Sequence, residues 1–118
     1  MTRDEVLELC STLPGAVEDY PFGDGVAVFK VGGRMFALVG LAGSPGSMNL
    51  KCDPDLALEL RARYAAVGPG YHQHKSHWNT VQLDGTIDDD ETQEMIEHSY
   101  QLVLDRLTRR QRTAILGE

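Results

Sequence analysis

The sequence predicts a two-layer α+β domain over residues 1–118, built on a largely antiparallel four-stranded sheet with the element order α-β-β-β-α-β-α. Three observations predict this class. Capping patterns mark the starts of helices near both ends of the chain. A Gly-Gly pair at 32–33 separates two β-rich runs, which indicates a two-residue hairpin. Apolar residues also switch between helical spacing and strict alternation, as expected where helices pack on a sheet.

The first helix and the hairpin follow from local signals. In Thr2-Arg3-Asp4-Glu5, the threonine hydroxyl and the glutamate carboxylate can satisfy free N–H groups of a first helical turn. Pro14-Gly15 then ends this helix. The run VAVFKVGGRMFALVGL, residues 26–41, is rich in β-branched and aromatic residues on both sides of its Gly-Gly pair. It therefore predicts the first two strands.

A third strand and a second helix are predicted after the hairpin. In SMNLKC, residues 47–52, every second residue is apolar, which is typical of a half-buried strand. Asp53-Pro54 combines an N-cap residue with proline at the first helical position. The apolar stripe of the helix that follows consists of Leu56, Leu60 and Tyr64.

The fourth strand and the last helices complete the order. NTVQLDG, residues 79–85, alternates polar and apolar residues and then turns at Asp-Gly. Asp88 with Glu91 forms a capping pattern for a third helix, and residues 108–111 suit the start of a short terminal helix. The stripe of the third helix consists of Ile96, Tyr100, Val103 and Leu107.

The composition is that of a globular domain without a membrane span or a disulfide framework. The opening stretch MTRDEVLELC carries acidic residues where a signal peptide would be apolar, and no run is long enough to cross a bilayer. Cys10 and Cys52 lack CxxC spacing, so we expect buried, reduced thiols. These features predict a soluble cytoplasmic protein with no membrane partner.

Charge is distributed unevenly along the chain. The formal net charge is −7, which argues against wholesale binding to phosphate backbones. Residues 25–78, however, hold six lysines and arginines against three carboxylates, whereas both flanking segments are acidic. Any surface that binds an anion is therefore expected in this positive middle segment.

The stretch GPGYHQHKSHWNTVQLDG, residues 68–85, holds three of the four histidines and the single tryptophan. If this stretch is extended, His72 and His74 share one face and His77 points away. Two imidazoles form a poor metal site unless a carboxylate or thiolate joins them. We therefore predict no metal and no cofactor, and we place His72 and His74 in a loop.

Catalytic motifs are also missing from the sequence. No serine lies in a nucleophile elbow, and neither glycine pattern of a phosphate-binding loop occurs. The acidic run at residues 88–91 is explained by its position at a helix start, where carboxylates complement the helix dipole. We therefore expect a protein that is not an enzyme.

Several longer stretches carry a family resemblance. The most specific is HKSHWNTVQLDG, residues 74–85, with a lysine, His-Trp, a small polar residue, Thr-Val and Leu-Asp-Gly. Together with the supporting stretches, it resembles the MmcQ/YjbR family of small bacterial proteins over nearly the whole chain. The supporting stretches are PGA at 14–16, KVGGRMFALV at 30–39, NLKCDPDLALELR at 49–61 and IEHSYQLVLDRL at 96–107.

The resemblance implies a fold similar to the bacterial frataxin, or CyaY-like, group, with helices packed on one face of an antiparallel sheet. It also implies DNA binding, the role usually described for the family. We therefore expect a non-enzymatic protein that binds DNA weakly through the positive middle segment. The expected contacts are Arg34, Lys51, Arg63, Lys75, His77 and Trp78.

These residues have separate expected roles. Lysine and arginine would neutralise phosphates. Trp78, if it is exposed, could stack on an unpaired base, whereas composition favours a Trp78 that holds the fourth strand to the core. With so few cations, the dissociation constant is expected at roughly 10⁻⁴–10⁻⁶ M, as for non-specific binding. The alternative is a small-molecule or protein-interaction module with no nucleic-acid role, which the acidic overall charge favours.

Overall fold

The computed structural model describes all 118 residues and contains four helices and six strands. The helices are α1 (Arg3–Thr12), α2 (Pro54–Arg63), α3 (Asp89–Asp105) and α4 (Arg109–Leu116). The strands are β1 (Val17–Asp19), β2 (Val26–Val31), β3 (Arg34–Gly40), β4 (Gly46–Lys51), β5 (Val67–Pro69) and β6 (Trp78–Leu83).

The strands form one sheet in the order β1-β2-β3-β4-β6-β5, and every neighbouring pair is antiparallel. This confirms the α+β class. The predicted count of four strands is wrong, because β1 and β5 extend the sheet at its two edges. Each edge strand has only three residues, which is too short for alternation of apolar and polar residues to identify a strand from sequence.

The predicted helix starts are confirmed by the capping contacts. Thr2 and Thr108 each form a complete capping box, with the side chain of the third helical residue bonded back to the cap. Asp53 and Asp88 accept backbone N–H groups at the starts of α2 and α3. Each cap satisfies N–H groups that the first helical turn leaves without a partner.

The Gly32-Gly33 hairpin is also confirmed. Val31 pairs with Arg34, and both glycines have positive φ, at 58° and 79°. A tight turn between twisted strands needs this left-handed conformation at both central positions, and glycine adopts it without steric strain.

The main core lies on one face of the sheet, between the strands and the helices. Helices α1 and α3 cover this same face, as predicted, and α2 adds Ala57 and Leu60 to the core. The hydroxyl of Tyr100 in α3 donates to the carbonyl of Pro14 at 2.6 Å, which fixes α3 against the end of α1. No helix has both the length and the apolar character needed to cross a bilayer.

A bulge in β3 interrupts the regular pairing of the sheet. Phe29 of β2 pairs with Ala37, but the next residue, Lys30, pairs with Met35. Phe36 is therefore the extra residue in β3, and its ring turns into the core. A bulge of this kind bends its strand and disrupts the ladder locally.

The hydroxyl of Ser99 in α3 replaces a ladder hydrogen bond next to this bulge. Pairing between β3 and β4 ends at Ala37 and Leu50. Beyond that pair, Ser99 Oγ accepts the backbone N–H of Lys51 at 2.9 Å and donates to the carbonyl of Phe36 at 2.5 Å. The hydroxyl therefore satisfies one backbone group from each of two strands while it is itself fully buried.

Replacing Ser99 with alanine should destabilise the fold strongly. The substitution leaves the N–H of Lys51 and the carbonyl of Phe36 without their partner, at about 1–3 kcal/mol for each buried group. We expect the free energy of unfolding, measured by urea denaturation, to fall by at least about 2 kcal/mol. The control is Ser11→Ala, because Ser11 is exposed and bonds only to the carbonyl of Glu8. Equal stability of the two variants would contradict this account.

Candidate functional site

The face of the sheet opposite the helices carries a loop, residues 70–77, that connects β5 to β6. A closed set of hydrogen bonds ties this loop to the sheet. Thr80 Oγ1 donates to Asn49 Oδ1 at 2.6 Å and accepts the N–H of Tyr71 at 2.9 Å. Asn49 Nδ2 donates to the carbonyl of Tyr71 at 3.0 Å. Both backbone groups of Tyr71 are thereby paired, so its position over the sheet is fixed.

Trp78 supports this loop from the sheet. Its side chain is 8 % exposed and packs against Val28 and Leu38 in a small cluster on the open face of the sheet. Its carbonyl accepts the N–H of Gly70 at 2.8 Å. The sequence-based role of Trp78 required an exposed ring that could stack on a base. The stacking role is wrong, because the apolar floor of the sheet covers the ring. Trp78 instead anchors β6, which is the alternative that composition favoured.

Lys75 is engaged within the same loop. Its Nζ donates to the carbonyl of Gly70 at 2.5 Å, and its own carbonyl accepts a hydrogen bond from the guanidinium of Arg61. Arg61 also donates from Nε to Asn79 Oδ1 at 2.7 Å. The ammonium and the backbone of Lys75 therefore hold the loop closed.

A groove of about 820 Å³ crosses the open face beside this loop. Its aromatic walls come from opposite edges of the sheet, with Phe22 in the β1–β2 connection and Tyr71 in the β5–β6 loop. Both rings are largely exposed, at 61 % and 66 %. The lining contains no aspartate, glutamate, lysine or arginine. The groove thus contains no carboxylate, ammonium or guanidinium group, and it has two solvent-exposed rings and the imidazole of His72.

The floor of the groove offers hydrogen-bonding groups that the protein does not use itself. The side chains of Ser47, Gln73 and Gln82 line the groove and make no hydrogen bond within the protein. Asn49 and Thr80 also lie in the floor, but their polar atoms already hold the loop. A ligand in the groove would therefore find free amide and hydroxyl groups between apolar walls, as in many small-molecule sites.

Two of the sequence-predicted contacts, Arg34 and Lys51, come together at one end of the sheet. Burial lowers the pKa of Lys51, and the positive charges of Arg106 and Arg34 lower it further. Arg106 caps the C-terminal end of α3 and was missed by the sequence analysis, because it belongs to the acidic C-terminal segment. We call Arg34, Lys51 and Arg106 the basic cluster.

Two other predicted contacts, Arg63 and His77, do not belong to the basic cluster. Arg63 is 3.9 Å from Glu91, which is in the first turn of α3. Arg106 ends that helix about 22 Å further along its axis, at 1.5 Å per residue. His77 is exposed, and its carbonyl accepts the N–H of Cys52, so its backbone lies next to the end of β4. Arg63 is thus separated from Arg106, whereas the backbone of His77 lies near Lys51.

His72 and His74 lie in the loop, as predicted, and the three histidines of the loop are exposed. The rings of His74 and His77 stand 4.8 Å apart, and no group of three or more histidine, cysteine, aspartate or glutamate side chains has the geometry to hold a metal ion. Both cysteines are buried free thiols. Burial raises the pKa of Cys10 to about 12 and that of Cys52 to about 11, so neither thiol ionises near neutral pH.

Comparison with known proteins gives the family. The family model described as YjbR matches residues 11–102. The chain belongs to the YjbR family. The uncharacterized protein YjbR of Escherichia coli strain K12 is 32 % identical over 116 residues, 98 % of each chain. The uncharacterized protein YbdF of Escherichia coli O157:H7 is 38 % identical over 103 residues, 86 % of this chain and 84 % of its own length.

Solved structures of similar chains share the fold. The crystal structure of Deinococcus radiodurans protein DR2400, with a domain described as DUF419, has a TM-score of 0.91 and 38 % identity, covering 97 % of this chain and 87 % of that one. A crystal structure from Pseudomonas syringae has a TM-score of 0.75 and 28 % identity, covering 87 % and 99 %. The stretch matched by the YjbR model contains the whole groove lining but not Arg106.

Replacing Gly70 with alanine should loosen the loop that borders the groove. A Cβ at this position would lie 2.6 Å from Trp78 Cβ and 2.9 Å from its carbonyl oxygen, so the backbone must move. We expect a loss of about 1–3 kcal/mol in unfolding free energy and a red shift of tryptophan emission, which reports Trp78 alone. In Gly68→Ala, where a Cβ meets nothing within 4 Å, both quantities should stay near those of the parent protein. A native-like Gly70→Ala would refute the close contact.

Proposed function

We propose that this YjbR-family chain is a non-enzymatic cytoplasmic module that binds an uncharged aromatic small molecule in the groove on the open face of its sheet. The observation that carries the proposal is the groove lining, which combines two exposed aromatic rings with unpaired amide and hydroxyl groups and contains no formal charge. The proposal includes the CyaY-like arrangement that the sequence resemblance implies. Helices packed on one face of the sheet leave the other face free to bind a ligand.

The dimensions of the groove support a ligand of small-molecule size. Sites for such ligands typically enclose about 300–1,000 Å³ and combine apolar walls with a few polar groups that fix orientation. The groove falls within this range at about 820 Å³. Its floor is also preorganised, because the Asn49–Thr80–Tyr71 hydrogen bonds hold one wall in place before a ligand arrives.

The chemistry of the lining favours a neutral, planar ligand. The rings of Phe22 and Tyr71 present apolar faces that suit stacking on an aromatic ring. Gln73 and Gln82 can each donate and accept hydrogen bonds, which suits a ligand that carries a carbonyl, an amide or a ring nitrogen. A charged ligand would lose its hydration without an ion pair to a carboxylate, lysine or arginine, since the lining has none of these and His72 is its one basic side chain.

Nicotinamide and nicotinate are matched probes for this proposal, because they share a ring and differ in charge. We expect nicotinamide to shift NMR signals of groove residues at millimolar concentration and nicotinate to bind several-fold more weakly. Tyr71→Ala should weaken nicotinamide binding about fivefold, given the usual energy of an aromatic pair. Tyr20→Ala is the control, because Tyr20 is an exposed tyrosine outside the groove lining. Equal binding of the two probes, or no effect of Tyr71→Ala, would reject the proposal.

Weak DNA binding is a second candidate, and the basic cluster is the observation that favours it. Arg34, Lys51 and Arg106 are close enough for the two guanidinium groups to lower the pKa of the lysine, and no salt bridge neutralises any of the three. A phosphate would relieve this mutual repulsion. His77, near the end of β4, would extend the same surface.

Fluorescence anisotropy with short single- and double-stranded DNA at two salt concentrations tests this candidate. We expect low-salt binding that is weaker in the double variant Arg34→Glu, Arg106→Glu but still measurable, and neither arginine side chain makes a hydrogen bond that the substitutions would break. A slope of log affinity against log salt should fall in magnitude by about 2, one for each lost phosphate contact. Arg63→Glu makes one such charge reversal at an arginine outside the cluster and should bind as the parent does. No low-salt binding, or equal loss in Arg63→Glu, would exclude DNA binding through the basic cluster.

A further inference from the structure

His72 occupies a backbone conformation that favours glycine. It is the only residue other than glycine whose φ is positive, at 60°. The carbonyl of Gly70 accepts the N–H of Gln73 at 3.2 Å, so residues 70–73 form a turn with His72 at its third position. A turn with positive φ at this position usually has glycine there, because the Cβ of any other residue is strained. The chain therefore holds an imidazole where glycine would be the more stable choice.

The same turn directs the imidazole to the groove. His72 is one of the lining residues, and its ring centroid lies 4.0 Å from that of Tyr71. Neither ring nitrogen of His72 makes a hydrogen bond within the protein, whereas Nδ1 of His74 accepts the N–H of Ser76. Residues held in a strained conformation by their surroundings are concentrated at ligand sites. Here the strained residue places an unused imidazole beside the exposed ring of Tyr71.

His72 is also the group that can change the charge of the lining. The other charged or titratable groups on the elements next to it are Tyr71, His74, Lys75 and His77 in the loop, Lys51 at the end of β4 and Asp24 in the connection that carries Phe22. None of these except Tyr71 lines the groove, and β5 and β6 carry no charged residue. A phenol does not ionise in the pH range in which an imidazole does. The charge of the lining therefore depends on His72.

We propose that His72 determines the charge of the ligand that the groove accepts, and that protonation of its imidazole converts a site for neutral aromatic molecules into one that binds aromatic carboxylates as well. This inference rests on the proposed function, because it requires an aromatic ring to bind beside Tyr71. A neutral imidazole offers one hydrogen-bond donor and one acceptor, whereas an imidazolium offers two donors and a positive charge. Histidine is the side chain that makes this change between about pH 5 and 8.

The direction of the pH effect follows from the charges. A fall in pH places a positive charge beside a bound carboxylate, which strengthens its binding, and leaves a neutral ligand without an added ion pair. By thermodynamic reciprocity, a bound carboxylate favours the protonated imidazole to the same degree. Because His72 is exposed, the effect is expected to have the size of a surface ion pair, which is about three- to fivefold in affinity.

Benzamide and benzoate test this proposal, because they share a ring and differ in charge. Binding to the full ¹⁵N-labelled chain is measured from the shifts of the backbone amides of the groove. Between about pH 8 and about pH 5.5, we expect the affinity of benzoate to rise about three- to fivefold and that of benzamide to change less than about twofold. Benzoate should also shift the imidazole signals of His72 at the lower pH.

Two variants of His72 separate its charge from its effect on folding. His72→Asn removes the titratable ring and keeps a residue that tolerates the left-handed conformation. His72→Gly relieves the strain, so it should be at least as stable to urea as the parent protein. The pH dependence of benzoate binding should disappear in both variants. The control is His74→Asn, outside the lining, where the new Oδ1 can accept the N–H of Ser76, and it should keep the pH dependence.

Each outcome bears on one of the two proposals. If benzamide binds but the pH dependence of benzoate is absent, or persists in either His72 variant, His72 does not determine the charge that the groove accepts. Equal loss of the pH dependence in His74→Asn would also overturn the inference, because it would assign the effect to the overall charge of the loop. If neither probe shifts the groove amides at either pH, the proposed function itself fails, and this inference fails with it.

Discussion

The hydroxyl of Ser99 is the contact on which the arrangement of the whole domain depends. It stands where β3 and β4 cease to pair and supplies the acceptor and the donor that the strands no longer give each other. Because the hydroxyl belongs to α3, this exchange also fixes the height and rotation of the longest helix over the sheet. Tyr100, the next residue, then binds the end of α1 through Pro14. Two consecutive side chains thus join α3 to three other parts of the chain, namely β3, β4 and the end of α1. They also set the position of Lys51 relative to Arg106.

Packing all of the helices on one face has a direct consequence for the other face. A sheet left open on one side must carry a mixture of polar and apolar residues, and here the mixture is ordered. Val28, Leu38 and Trp78 form an apolar patch at one part of the face, and Asn49 with Thr80 forms a polar row beside it. The two side chains of the polar row are not left to water, because they form hydrogen bonds with the backbone of Tyr71 in the β5–β6 loop. The groove exists because this loop rises above the sheet while staying attached to it.

Features that depend on neighbouring residues could be predicted from the sequence, whereas features that depend on distant pairs could not. The capping boxes and the Gly32-Gly33 turn involve residues that are close in sequence, so the sequence patterns predict their geometry directly. Lys51 and Arg106 of the basic cluster are distant in sequence. The net charge of each segment of the chain therefore does not show that their side chains lie close together. Composition favoured a Trp78 that anchors the fourth strand, but only the register of β6 shows that its ring faces Val28 and Leu38. The buried amide nitrogen of Asn79, which has no hydrogen-bond partner, could not be predicted either, since a missing partner is a property of the surroundings and not of composition.

The two edges of the sheet bear on how this domain can meet other chains. A long exposed edge is a template that recruits foreign strands, and many domains exploit it to capture extended peptides. Here β1 and β5 offer three residues each. Glu18 and Asp19 make the first edge anionic, and Pro69 contributes no N–H to the second. A strand of another chain would find too few hydrogen-bonding groups at either edge to extend the sheet. Recognition by this domain must therefore be achieved by side chains, through shape and surface chemistry, and not by lengthening its ladder of strands.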